Sequence, residues 1–133
     1  MIKYKVATKL STEMIDITAL VRQGLEKTKV KDGLCLVFVP HTTAGVTINE
    51  NADPAVRRDV LVELNKMVPE REYFTHMEGN STAHIKSSLI SVSLTIPVED
   101  GKLVLGTWQG IYFCEFDGPR EREVWIKLVA VSD

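Results

Sequence analysis

Histidine is the residue to start from, because a neutral imidazole can ligate a metal or move a proton near neutral pH. The chain has three: His41, His76 and His84. His76 and His84 share the stretch His76-Met77-Glu78-Gly79-Asn80-Ser81-Thr82-Ala83-His84, and His41 stands in Val39-Pro40-His41-Thr42-Thr43-Ala44-Gly45. All three fall at loop edges, which suggests one shared site holding zinc or a similar divalent ion through three nitrogens. The plain alternative is three unrelated polar residues near turns.

Glu50 and Glu78 are the carboxylates nearest these histidines in sequence. Either is a candidate general base, metal ligand or partner orienting an imidazole, and either is equally an ordinary surface carboxylate. Asn80 and Ser81 are preferred helix-capping types, so a helix starting there would aim free N–H groups at an anion. Thr42 and Thr43 could contribute to a phosphate seat. Arg120 and Arg122 flank an Asp-Gly-Pro turn and could clamp a phosphate, or instead form salt bridges with Asp117, Glu121 and Glu123. Trp108 and Gln109, between two glycines, could offer a stacking face and a hydrogen-bonding tip, although an aromatic in a bend is more often core. No P-loop, dinucleotide fingerprint or serine or cysteine nucleophile motif is present.

The elements that must position these groups are legible from periodicity. Ile2 to Leu10 alternates like a strand with one face in water. Asp16 can cap a helix with the inner stripe Ile17, Leu20, Val21, Gly24 and Leu25. Leu34 to Val39 is apolar throughout and reads as a strand covered on both faces, and Ala44 to Asn49 has strand character again. Asp53-Pro54 opens a second helix, with stripe Val56, Val60, Leu61, Leu64, Met67 and Val68, which Pro69 stops. Glu70 to Thr75 is a polar linker. A short helix follows Asn80, and from Ile90 the period is two. Glu99-Asp100-Gly101 is a hairpin turn. Gly106 to Gly110 marks a bend where another group comes close, Ile111 to Phe116 is apolar apart from Glu115, and Val124 to Val131 closes the sheet. This order gives an α+β fold, a largely antiparallel sheet or sandwich with two main helices and one short one, in a single domain over residues 1–133.

A net charge of −2 and pI near 5.9 leave no global field to gather nucleic acid or an anionic membrane. Cys35 and Cys114 lie in apolar runs without a Cys-x-x-Cys spacing, which implies buried free thiols. The N-terminus lacks the apolar core of a signal peptide, and no run is long enough to span a membrane. A cytoplasmic protein is expected.

His41-Thr42-Thr43-Ala44-Gly45, Asn51-Ala52-Asp53-Pro54, His76-Met77-Glu78-Gly79-Asn80 with Ala83-His84-Ile85-Lys86, Gly106-Thr107-Trp108-Gln109 and Asp117 to Arg122 together resemble the YjbQ-like family, often labelled secondary thiamine-phosphate synthase. The match runs in order over nearly the whole chain. The resemblance implies a homotrimer with a histidine-lined pocket near subunit boundaries. It also implies a weak ability to join hydroxymethylpyrimidine diphosphate to thiazole phosphate with release of diphosphate. His41, His76 and His84 carry over as site residues, with Glu50, Glu78, Asn80, Trp108, Gln109 and Arg120 as weaker ones. Ser91 departs from the pattern, where many members have glycine. The expectation is thus a metal-dependent enzyme on a phosphorylated small molecule, with zinc or magnesium held by the histidines and Glu78 or Glu50 managing a proton. The alternatives are a hydrolase of unknown substrate and a non-catalytic trimeric binder of a phosphorylated metabolite.

Overall fold

The computed structural model describes residues 1–131. Eight strands and three helices follow in order: β1 Ile2–Ala7, β2 Glu13–Asp16, α1 Thr18–Thr28, β3 Gly33–Phe38, β4 Ala44–Glu50, α2 Pro54–Met67, α3 Ser81–Ile90, β5 Ser93–Glu99, β6 Lys102–Leu103, β7 Gln109–Glu115 and β8 Glu121–Ala130. The architecture is the expected α+β one, with every strand pairing antiparallel. A five-stranded sheet has the order β1-β8-β3-β5-β6, and a three-stranded sheet the order β2-β7-β4.

The two sheets face each other across the main core. Val6, Cys35, Val37, Ile96, Val98, Val124 and Ile126 come from the larger sheet and Val46, Ile111 and Phe113 from the smaller, with Val21 and Leu25 of α1 joining them. Alternation then places Met14, Tyr112, Cys114 and Phe116 on the other face of the smaller sheet. There they pack with Ala83 of α3 and the half-buried Val60, Leu61 and Leu64 of α2. Strand β7 therefore runs between two apolar layers and is buried from Gly110 to Glu115. Burial pushes the thiol pKa of Cys35 up to about 11 and that of Cys114 to about 12, and both are free.

Local signals account for most boundaries. Asp53 caps α2, its side chain accepting from the Ala55 N–H at 2.9 Å, with Pro54 in the first turn. Asp100 and Gly101 both take positive φ in the β5–β6 turn, the conformation that a tight hairpin asks for.

Several expectations need correction. β1 ends at Ala7, and the chain turns to form β2, whose four residues are too few to show a period. Asp16 ends β2 and accepts from the Thr18 N–H, while Ile17 occupies the cap position of α1. β3 is covered on one face only: Cys35 and Val37 are buried, Leu36 and Phe38 half-buried, and Leu34 is 42% exposed. Outside it Phe38 meets its cross-strand neighbour Trp125 at 5.8 Å between ring centroids. α2 buries no residue fully, and Met67 of its apolar stripe is exposed. α3 has 10 residues, nearly the length of α1, and includes Ile90, so the period-two strand starts at Ser93. β8 begins at Glu121 rather than Val124.

Candidate functional site

Three separate connections converge on one rim of the molecule. β3 ends at Phe38, and Val39-Pro40 leads on to His41, Thr42 and Thr43; the loop after α2 delivers His76, Glu78 and Asn80; the β7–β8 turn delivers Arg120. With Pro40, His84 and Arg122 these residues line one cavity of 360 Å³.

Helix α3 is fixed over this rim by its own side chains. Ser87 is buried, and its hydroxyl donates to the Ala44 carbonyl at 2.6 Å, tying the helix to the start of β4. The Lys86 ammonium donates to Asn65 of α2, and burial lowers its pKa. His84 lies three positions before Ser87, on the same helical face, and so stands above the β3–β4 connection. His76 reaches it from the loop, the two rings meeting edge-on with centroids 5.1 Å apart. A turn places His76: the Gly79 N–H donates to the His76 carbonyl at 3.1 Å, and Gly79 holds φ at +74°, a conformation cheap only for glycine.

Arg122 lines the cavity from a buried ion pair with Glu115. Glu115 and Arg122 are 0% and 4% exposed. Arg122 Nε donates to Glu115 Oε1 at 2.9 Å, and Nη2 donates to Glu115 Oε2 and to Thr43 Oγ1. Thr8 donates to Glu115 Oε1 at 2.7 Å, and the N–H groups of Phe116 and Asp117 donate to Oε2. Burial alone would raise the Glu115 pKa; hydrogen bonds from Arg122, Thr8 and Asp117 outweigh it and hold the carboxyl below its usual range. Such a pair survives burial only because nearly every donor and acceptor is matched. This pair was the least legible part of the site. Its signal is Glu115 itself, one carboxylate in an otherwise apolar strand, which demands a cation partner.

The other candidates sort by place. Thr43 is buried and holds Arg122 through its hydroxyl and carbonyl, whereas Thr42 is exposed. Arg120 pairs with Asp117 at 2.7 Å, the salt-bridge alternative, while still lining the cavity. Asn80 occupies the cap position of α3 without a capping bond. Its amide donates instead to Asp117 at 2.9 Å, and its Oδ1 is buried with no partner among the described residues. Ser81 lines an adjoining groove with His76, Glu78 and His84, walled by Tyr73, Phe74 and Ile85.

Glu50, Trp108 and Gln109 do not join the cavity within one chain. In the β4–β7 ladder Ala44 opposes Glu115, and Glu50 opposes Gln109. Six residues of strand separate the two ends, roughly 20 Å. At that far end Trp108 is 63% exposed, and Gln109 accepts from the Gly106 N–H, shaping the bend. The close approach expected near Gly110 is the Asn51 side chain, which a Cβ at Gly110 would meet at 2.6 Å.

The donor set tests the metal expectation. His41 Nε2 accepts from the Glu123 backbone N–H at 2.9 Å and is not free to ligate. Only His76 and His84 approach each other, and zinc sites use three or four protein ligands. Among the described residues no group of three or more His, Cys, Asp or Glu is placed to hold a metal ion. A three-histidine centre does not fit one chain.

Fold and cavity define a class: a small antiparallel α+β domain whose rim gathers imidazole, guanidinium, amide and carboxylate groups. The chain belongs to the UPF0047 protein YjbQ-like family, whose pattern matches residues 2–131. A UPF0047 protein of Methanocaldococcus jannaschii is 54% identical over 127 residues, covering 96% of this chain and 92% of that one. YugU, a UPF0047 protein of Bacillus subtilis, is 52% identical over 126 residues, covering 94% and 96%. A YjbQ/UPF0047-family crystal structure from Clostridium acetobutylicum superimposes with a TM-score of 0.95 at 55% identity, covering 97% of this chain and 100% of that one. A conserved hypothetical protein from Thermus thermophilus gives 0.90 at 43% identity, covering 97% and 100%. Among the described residues no helix is long and apolar enough to cross a membrane.

Proposed function

We propose that the protein is an enzyme acting on a phosphorylated small molecule whose phosphate sits in the His41–His76–His84 cavity. The observation that carries this reading is convergence: three imidazoles, Asn80, Arg120 and Arg122 line one 360 Å³ space although they come from connections far apart in sequence. The family resemblance points to a thiamine-phosphate synthase-like condensation. In that reaction an unprotonated thiazole ring nitrogen attacks a methylene carbon, and the carbon–oxygen bond to diphosphate breaks. The nucleophile has no proton to lose, so neither Glu78 nor Glu50 is needed as a base. What the departing oxygens ask for is positive charge and N–H donors, which Arg120 and the imidazoles supply. No step is assigned to a metal ion. Leu34 and Val129 leave the outer sheet face partly uncovered, which supports the trimeric assembly the resemblance implies. Free buried thiols are compatible with a cytoplasmic location.

One feature favours the rival reading of a non-catalytic phosphate binder: both arginines are already ion-paired, to Asp117 and Glu115. Diphosphate release from the two heteroaromatic phosphates, measured with and without added magnesium or zinc, separates the readings. Wild-type protein should turn over, and His84→Ala should lose at least about tenfold in kcat/KM, on the scale of one proton-transfer or charge-stabilising group. Phosphate-dependent thermal stabilisation without turnover would leave the binder. Neither response would end both.

A further inference from the structure

We infer that His41 serves the cavity as a neutral hydrogen-bond donor through Nδ1–H to an anionic phosphate oxygen, a role imposed by strand β8. For its ligand this rests on the phosphate reading above; for the tautomer it does not. The Glu123 backbone N–H donates to His41 Nε2 at 2.9 Å. A ring nitrogen that accepts carries no proton, so a neutral imidazole must hold its single proton on Nδ1. Nδ1 has no partner among the described residues, yet it is not one of the buried unpaired polar atoms, which are Tyr4 Oη and Asn80 Oδ1. It is therefore open to solvent, and His41 lines the cavity.

The charged state is opposed on the same geometry. A proton on Nε2 would set N–H against N–H at the β8 backbone. The groups acting on His41 are Arg122, Glu115 and Glu123, with His76, Glu78, His84 and Arg120 around the same cavity. Burial and then Arg122 disfavour a second proton and outweigh the carboxylates of Glu115 and Glu123, so the pKa lies below its ordinary value. Ligation of a metal is excluded in both modes while the β8 bond lasts. Nε2 is occupied, and freeing Nδ1 of its proton would move that proton onto Nε2. His41 thus differs in role from His76 and His84, whose rings meet no such backbone donor among the described residues.

The test uses the full chain labelled with ¹⁵N-histidine. Long-range ¹H–¹⁵N correlations at pH 7, with His41 assigned by its absence in His41→Gln, should show the neutral Nδ1-protonated form. Inorganic phosphate should shift Nδ1 more than Nε2, and zinc alone should leave both unmoved. An Nε2-protonated or doubly protonated ring, or zinc-dependent loss of the Nδ1–H signal, would overturn the assignment. Two variants separate donor from scaffold. His41→Gln keeps an acceptor for the Glu123 N–H and should preserve Tm while weakening inorganic phosphate about tenfold, the scale of one charge-assisted hydrogen bond. His41→Asn places an amide donor near the Nδ1 position and should bind phosphate within about threefold of wild type at a lower Tm. Full phosphate affinity in the glutamine variant would reduce His41 to a structural role and sink the proposal. The expected tautomer with no phosphate response in wild type would instead overturn the phosphate reading and leave the tautomer standing.

Discussion

The cavity has two unlike walls. Its sheet-borne wall, Thr43, Arg122 and His41 with Glu115 behind them, is tied down by buried and half-buried hydrogen bonds that join Thr8 just after β1, β7, β8 and the β3–β4 connection. Its loop-borne wall, His76 and Glu78, hangs on the connection between α2 and α3, where Tyr73 is 73% exposed and Met77 fully so. The first wall is over-determined and cannot easily rearrange; the second is held by a few turns and one ring contact. A site built this way can preset the charges that meet an anion and leave adjustable the groups that close on it.

The largest effect should come from breaking the fixed wall. Glu115→Ala leaves a buried guanidinium unpaired and should cost about 3–5 kcal/mol in denaturant unfolding, whereas Glu115→Met with Arg122→Met should recover most of it. A single-variant cost below about 1 kcal/mol would show that this wall is no firmer than the other. Acid should act on the same wall. The folded pKa values of His41 and Glu115 both lie below their ordinary 6.5 and 4.5. Each stabilisation is therefore complete above the ordinary value and lost as pH falls through the folded one. As pH is lowered from about 7, Tm should fall first below 6.5 and again below 4.5, with the upper step absent in His41→Gln. An upper step that survives in this variant would remove His41 as its source.

Behind the site, at the C-terminal end of α3, Ser91 holds φ 83° and ψ 163°, a region nearly reserved for glycine. Its carbonyl accepts from the Val46 N–H at 3.1 Å, so the sheet enforces the strain. Ser91→Gly should stabilise by about 1 kcal/mol, net of the added chain entropy. Glycine, which the resemblance leads one to expect here, thus has a physical reason: the backbone asks for it whichever residue is present. Smallest should be the stability effect of cutting into the loose wall. His76→Ala should change unfolding free energy by no more than about 0.5 kcal/mol while weakening phosphate binding, and native-state proteolysis should begin between residues 70 and 79. A stability loss comparable with that of Glu115→Ala would erase the distinction between the walls.

Much of the frame was legible because it is written locally. Asp53-Pro54 gave the α2 start, Asp100-Gly101 the hairpin, and the apolar alternation most strands. β2 was missed because four residues carry too little periodicity, and the outer face of β3 was misread because an apolar side chain does not announce whether anything covers it. Within the site, the gathering of His41, His76 and His84 followed from their motifs. The partners of Arg122 did not: it could pair with Asp117, Glu121 or Glu123 by proximity in sequence, and the structure pairs it with Glu115 on the neighbouring sheet.

The chain's own letters determined most of the strands and helices, the turns at Asp53-Pro54 and Asp100-Gly101, and which family it belongs to, since these depend on sterics and patterning within a few residues. Tertiary structure alone decided that Glu50, Trp108 and Gln109 stand at the far end of the β4–β7 ladder, that Glu115 closes on Arg122 and Thr8, and that a β8 amide takes His41 Nε2. Those outcomes depend on strand register between residues as much as 107 positions apart. Register is chosen by burying the whole apolar face at once, so no short stretch of sequence contains it.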